Sequence, residues 1–371
     1  MNYSYEECKK YIIKGGNHNE LLNYVNFDLN HNDFFKELLI SCKDENVLKH
    51  IIDNAIDLEC EDKYKERPIH FICRYSTPDM IKYIIDKGVD LECEDNYDKR
   101  RPIHYICERS TPEMIKYIID KGVDLECEDN YKNRPIHVIC RFSTLEMIKY
   151  IIDKGVDLEC EDRFGSRPIH IICQSSTSEM IKYIIDKGVD LECEDNNKER
   201  PIHYLCRKST PKMIKYIIDK GVDLECEDDE GWRPIHEICF CSTPEMIKYI
   251  IDKGVDLECE TLYDKRRPIH YICEYSTHEI IKYIIDKGVD LECETINKYR
   301  PIHYICEYST LEMIKYIIDK GIKLDFNDYL QLENYIDKNE NYHKEKNKMI
   351  EYINKSKNIK NVMVKKAIKK N

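Results

Sequence analysis

His104 and Cys107 stand three residues apart in a chain of 371 residues that carries 19 Cys. The pair returns at His70 and Cys73, His137 and Cys140, His170 and Cys173, His203 and Cys206, His236 and Cys239, His270 and Cys273, and His303 and Cys306. A second cysteine recurs in step, at Cys60, Cys93, Cys127, Cys160, Cys193, Cys226, Cys259 and Cys293. Imidazole and thiolate are ligands of Zn²⁺, and a thiol beside an imidazole has the makings of a nucleophile and its base. Spacing argues against both. Zinc modules pair cysteines with two to four residues between them, and this chain has no such pair. A catalytic pair occupies one distinctive site, whereas these recur in similar surroundings. No glycine loop suited to phosphate appears either, Gly15-Gly16 being the only Gly-Gly. We therefore expect no catalytic residue, no metal ligand and no cofactor. The cysteines are expected to fill space as small hydrophobes.

The pairs sit inside a segment close to RPIHYICERSTPEMIKYIIDKGVDLECED. Its proline falls at Pro68, Pro102, Pro135, Pro168, Pro201, Pro234, Pro268 and Pro301, in steps of 34, 33, 33, 33, 33, 34 and 33 residues. A fixed period of this length means that each repeat is one supersecondary piece that buries its apolar face only by stacking on its neighbours. In the repeat starting at Arg101, Ile103, Ile106 and Cys107 share one face of a short first helix. Pro102 suits that helix's first turn, and Tyr105, Glu108 and Arg109 are expected to point away from the apolar face. Met114, Ile115, Ile118 and Ile119 define a second helix ending at Gly122, a residue suited to the left-handed position after a helix. Two starts are open for it: Thr111 as N-cap with Pro112 following, or Ser110 and Glu113 as a capping box. After the glycine comes VDLECED and then a polar stretch that differs in every repeat, read as an exposed loop. The two extra residues fall in these loops, at 96–100 and 261–266.

No apolar run is long enough to span a membrane, and the amino terminus lacks a basic start followed by an apolar stretch. The reading is a soluble cytoplasmic protein with free thiols, since an odd cysteine total spread over a repeating core suits a reducing compartment. Formal net charge is -13. Residues 344–371 hold ten Lys against Glu345 and Glu351, so the rest of the chain is more acidic than the total. An acidic array repels phosphates, so no nucleic-acid partner is expected.

The repeat resembles the ankyrin repeat. Pro102, Ile103 and His104 match the family's Thr-Pro-Leu-His stretch, Gly122, Val123, Asp124 and Leu125 match its Gly-Ala-Asp-Val turn, and Gly165 and Gly231 match the glycine of its hairpin. The resemblance implies an all-α ankyrin-repeat solenoid, stacked helix-turn-helix units with hairpin or loop fingers, in which His104 and its equivalents hydrogen-bond neighbouring repeats. Residues 67–323 form eight repeats, 34–66 a degenerate N-capping repeat, 1–33 an N-terminal helical segment, and 324–371 degenerate C-capping helices with a basic tail. Arg101 and its equivalents replace the family's capping threonine, and Ile106 with Cys107 replaces an alanine pair, which implies altered spacing or curvature of the stack. Glu126 and its equivalents occupy the usual asparagine, so the asparagine hydroxylation known in the family is not expected there. The near-identity of the repeats is similar to tandem arrays in giant DNA viruses of amoebae, which implies a viral protein in a host's cytoplasm.

For the family, loops and the outward face of the first helices grip partner proteins. Carried over to the variable positions here, that face and those loops put forward Tyr97, Tyr105, Tyr131, Phe164, Tyr204, Trp232, Tyr263, Tyr271, Tyr299 and Tyr304 as partner-binding aromatics. The expected function is a monomeric, non-enzymatic protein-binding scaffold. An alternative is an adaptor whose C-terminal segment recruits a ubiquitin ligase or similar machinery.

Overall fold

A computed structural model describes residues 45–55, 57–62, 64–322 and Tyr352. The chain divides into two compact units, residues 1–190 and 191–371. The first holds α1 (Glu45–Ala55), α2 (Pro68–Tyr75), α3 (Pro78–Ile85), α4 (Pro102–Arg109), α5 (Pro112–Asp120), α6 (Pro135–Phe142), α7 (Leu145–Asp153), α8 (Pro168–Ser175) and α9 (Ser178–Asp186). The second holds α10 (Pro201–Lys208), α11 (Pro211–Ile218), α12 (Pro234–Cys241), α13 (Pro244–Asp252), α14 (Pro268–Tyr275), α15 (His278–Asp286), α16 (Pro301–Tyr308) and α17 (Leu311–Asp319). Among the described residues every regular element is a helix, as the fold class requires.

Helices of eight or nine residues are too short to hold in water alone, so stacking must stabilise them. Within the first unit α2 packs on α4, α4 on α6 and α6 on α8; within the second, α10 packs on α12, α12 on α14 and α14 on α16. Ile103 and Ile106 of α4 and Ile118 of α5 are completely buried, each contributing roughly 1.5–3 kcal/mol of apolar transfer. Leu48 and Ile52 of α1 are buried too.

The open choice of cap is decided in favour of threonine. Thr111 is the N-cap of α5 and its hydroxyl accepts the N–H of Met114 at 3.4 Å. Ser110 instead ends α4, its N–H donating to the Ile106 carbonyl at 3.0 Å. Gly122 closes the repeat at φ +83°, where an added Cβ would meet nothing within 4 Å; glycine is needed there for its backbone freedom alone.

A second ladder runs along the longer helices. In the second unit the Tyr316 hydroxyl donates to Asp286 at 2.8 Å, and its ring lies 5.4 and 5.3 Å from the ammonium groups of Lys282 and Lys320. Tyr352 continues the pattern, donating to Asp319 with Lys315 at 5.6 Å from its ring. The remainder of the expected N-terminal segment, C-capping helices and basic tail lies outside the described residues.

Candidate protein-binding surface

The arginine before each first helix cannot cap through its side chain, because a guanidinium has no acceptor. The histidine three residues on supplies the bond instead. In all eight repeats its Nδ1 accepts the arginine's backbone N–H, at 2.8–3.1 Å. With Nδ1 so used, the neutral ring carries its proton on Nε2. That N–H donates to a carbonyl farther along: Cys93 from His70 at 3.1 Å, Asn133 from His104 at 3.1 Å, and Cys259 from His236 at 3.2 Å. No imidazole lone pair is left to serve as a base. Burial holds the His70, His104, His137 and His203 rings below the ordinary imidazole range and brings His236 and His270 down to about 4.

The neighbouring thiols are equally inert. Burial pushes Cys93, Cys127 and Cys160 up to about 12, and Cys73 and Cys107 higher still. The 17 described cysteines are thiols, not disulfides. Among the described residues no three His, Cys, Asp or Glu side chains converge to hold a metal.

The arginine side chain is freed for another task. Arg134 reaches back across the repeat boundary to Glu126 at 2.5 Å and Glu128 at 3.2 Å, and within its own repeat to Asp157 at 3.5 Å. Glu126 also accepts the Asp157 N–H at 3.1 Å. The arginine and glutamate that depart from the family's threonine and asparagine thus form one inter-repeat clasp.

Each finger grows from the last side chain of LECED or LECET, half-buried at Asp62 and buried in the other seven. Asp129 Oδ1 accepts the N–H groups of Tyr131 and Asn133 at 2.8 and 2.9 Å, and Asp162 Oδ1 those of Phe164 and Ser166 at 2.8 and 3.0 Å. Such side-chain acceptors fold the loop as an Asx turn does. One residue per finger then adopts the left-handed conformation: Gly165 and Gly231, but lysine in six others, Lys132 among them at φ 56°. Single backbone bonds tie successive tips, such as Asn130 N–H to the Asp98 carbonyl at 2.7 Å and Leu262 N–H to Glu230 at 2.8 Å.

This construction presents aromatic groups at the tips. Tyr97 and Tyr263 are 75% and 72% exposed, and Tyr131, Phe164 and Tyr299 are exposed as well; Trp232 is half-buried. The expectation that Tyr105, Tyr204 and Tyr271 lie on an open face is corrected by their burial, Tyr105 being 4% exposed. α4, α6, α12 and α14 each lie between two like helices, so the side chain at their fourth position fills the gap. Tyr105 and Tyr204 donate to Asp95 and Asp195 at 2.5 and 2.6 Å, bracing the finger base. Tyr304 is intermediate. The open positions are the last two of the first helices, where Tyr75, Phe142, Phe240, Tyr275 and Tyr308 are exposed. Sequence reasoning missed them, although all lie beyond the Ile-Cys pair and off the apolar stripe.

Two clefts open beside these helix ends. The one in the first unit, about 410 Å³, contains Arg74, Arg100 and Arg109, with Arg74 and Arg100 4.5 and 5.1 Å from the Tyr105 ring. The one in the second unit, about 450 Å³, is walled by Trp232 and Phe240 and holds five carboxylates and Arg207.

The geometry of paired helices, buried histidine and finger is repeated eight times, and a family model described as ankyrin repeats (3 copies) matches overlapping windows from 38–129 to 235–328. The chain belongs to the ankyrin-repeat family. Ankyrin repeats generally mediate protein–protein interaction, and the fold is typically a binding scaffold without enzymatic activity. Among solved structures, this ankyrin-repeat chain is similar to "Crystal structure of the ankyrin repeat domain of Bcl-3: a unique member of the IkappaB protein family". The identity is 14% and the TM-score 0.48, over 60% of this chain and 99% of that one. No curated protein matches. No described helix is long and apolar enough to cross a membrane.

Proposed function

We propose that this ankyrin-repeat protein is a non-enzymatic scaffold that grips partner proteins through its finger tips and the exposed ends of its first helices. One observation carries the reading. The buried framework of Pro, Ile, His and Cys is nearly the same in every repeat, while the exposed aromatic groups, Tyr97, Phe164 and Tyr263 among them, sit at positions that vary. Large amphipathic rings on a rigid frame are the groups that dominate protein interfaces. The finer expectations go with it: a monomer, acting in the cytoplasm, a host's if the chain is viral, and binding no nucleic acid because the array is acidic. Recruitment of a ubiquitin ligase through residues 324–371 lies outside the described residues apart from Tyr352, and no observation favours it.

The test is affinity capture from the native cell with the full chain and with a triple variant, Tyr97→Ser, Phe164→Ser and Tyr263→Ser. Partners retained by the parent and lost by a variant of equal thermal stability are the expected result. Capture indifferent to all three changes counts against the reading.

A further inference from the structure

In the second unit, the repeat that starts at Arg233 departs from two of its sister repeats. Where Tyr105 and Tyr204 donate a phenol to the aspartate at the finger base, this repeat has Glu237, 5% exposed. The corresponding aspartate, Asp228, is 8% exposed. Its Oδ1 accepts the Glu230 and Trp232 N–H groups at 2.9 and 2.8 Å. Among the described residues no hydrogen bond reaches its Oδ2. The Oδ2 of this largely buried side chain thus opens on the cleft without a donor from the protein, and the side chain standing where Tyr105 and Tyr204 supply one is another carboxylate.

Both groups line the 450 Å³ cleft, together with Glu199, Asp229 and Glu230. The only cation lining it is Arg207, whose guanidinium is shared between Glu199 at 2.5 Å and Glu237 at 2.7 Å. One positive charge against five negative ones leaves the cleft deficient in positive charge, and burial makes that deficit costly. The wall opposite is apolar: Trp232 stands edge-to-face on Phe240 at 6.2 Å and 5.1 Å from Tyr271. Unmet carboxylate oxygens beside an indole suit a planar cation that donates several hydrogen bonds and stacks on an aromatic face.

We propose that this cleft receives an arginine side chain of the partner protein, its guanidinium donating to Asp228 Oδ2 and Glu237 and lying against Trp232. The inference rests on the scaffold reading and names the chemistry of the partner. A divalent metal is a poorer occupant, since no three ligating groups converge there. The chain's own lysine-rich tail is a poorer one as well, because no arginine follows Arg300 and an ammonium lacks the planar fork.

Trp232 is the only tryptophan, so the intrinsic emission of the full chain reports on this cleft directly. The probes are blocked Gly-Gly-Arg-Gly-Gly and its citrulline and lysine counterparts, titrated into the parent, Glu237→Gln and Glu237→Tyr. The last variant restores the residue found in sister repeats, and circular dichroism confirms the fold of both. The expected result is a saturable emission change with the arginine peptide and about tenfold weaker binding of the citrulline peptide. Both variants should lose a similar factor. Equal responses to arginine and citrulline, no response to any peptide, or binding unaffected by Glu237→Gln would overturn the proposal. So would an emission change on deleting residues 355–371 that the lysine peptide reverses, which would make the tail the occupant. Partner capture that survives Glu237→Gln yet needs the finger aromatics would remove this cleft and leave the scaffold standing.

Discussion

His137 bonds forward to Cys160: its Nε2–H meets the Cys160 carbonyl of its own repeat's closing loop at 3.2 Å, while Nδ1 accepts the Arg134 N–H at 3.0 Å. Protonation would turn Nδ1 into a donor facing a donor and break the cap. Linkage gives the sign. These rings titrate lower when folded than when unfolded, so the unfolded chain binds more protons and stability is lost as pH is lowered. Stability is complete above the ordinary value of 6.5 and declines as pH drops toward about 4, the folded value for His236 and His270. Each of those two rings accounts for about 3 kcal/mol over the window. Asp228 and Glu237, raised by burial, act in the opposite sense, but only near the acid end where carboxyls protonate. Urea midpoints should fall steeply between pH 7 and pH 5. A flat profile there would refute this account of the histidines.

Finger shape should depend on one carboxylate oxygen. Asp129→Ala removes the acceptor of two backbone N–H groups and should cost about 2–4 kcal/mol, whereas Asp129→Asn keeps a carbonyl oxygen and should cost about 1 kcal/mol. Thermal unfolding of the two variants side by side makes the comparison. Equal losses would mean that the charge, not the turn, matters.

The left-handed finger position gives predictions of opposite sign in two repeats. Gly231 has φ +77°, and an added Cβ would lie 2.8 Å from Leu262 Cγ and 3.0 Å from Leu262 N, so Gly231→Ala should destabilise by about 2–3 kcal/mol. Lys132 adopts the same conformation with an exposed side chain, so Lys132→Gly should stabilise by about 0.5–1 kcal/mol. Denaturant midpoints decide both, and a destabilising Lys132→Gly would show that its side chain contributes more than the strain costs.

Much of this frame was legible in the residues. The period and the Ile spacing placed both helices of each repeat, but the bond expected from His104 to a neighbouring repeat falls instead on Asn133 at the end of its own repeat. The cap of α5 was not legible, because Ser110 and Thr111 both offer a hydroxyl; only the preceding helix, which uses Ser110 as its end, settles it. Helical periodicity also misled at Tyr105. It identifies the most apolar face but not how many faces are covered, and a helix within a row is covered on both flanks. Lys132 shows a third limit, since nothing in a lysine marks a left-handed backbone, whereas Gly165 in the same place does.

Thiol accessibility should follow burial. Of the described cysteines only Cys241 is exposed and Cys60 half-buried, and burial pushes Cys241 up to about 11. A disulfide reagent at pH 8 should therefore react slowly with the folded array and rapidly with all 19 thiols once guanidinium unfolds it. A denatured total below that number would reveal disulfides, and fast reaction of the folded thiols would contradict the packing.

Tyr105 and Tyr97 sit in the same repeat boundary and should fail in different assays. Tyr105 accepts from Arg74 at 2.6 Å and donates to Asp95 at 2.5 Å, so Tyr105→Phe keeps the ring and strands a buried carboxylate oxygen. The loss should be about 1–3 kcal/mol of stability, with partner binding unchanged wherever the protein remains folded. Tyr97→Ser removes an exposed ring and should leave stability within about 0.5 kcal/mol while weakening capture. Measuring unfolding and binding on both variants separates framework from surface. If Tyr105→Phe weakened binding at temperatures where it is fully folded, Tyr105 would have to be returned to the binding face from which its burial removed it.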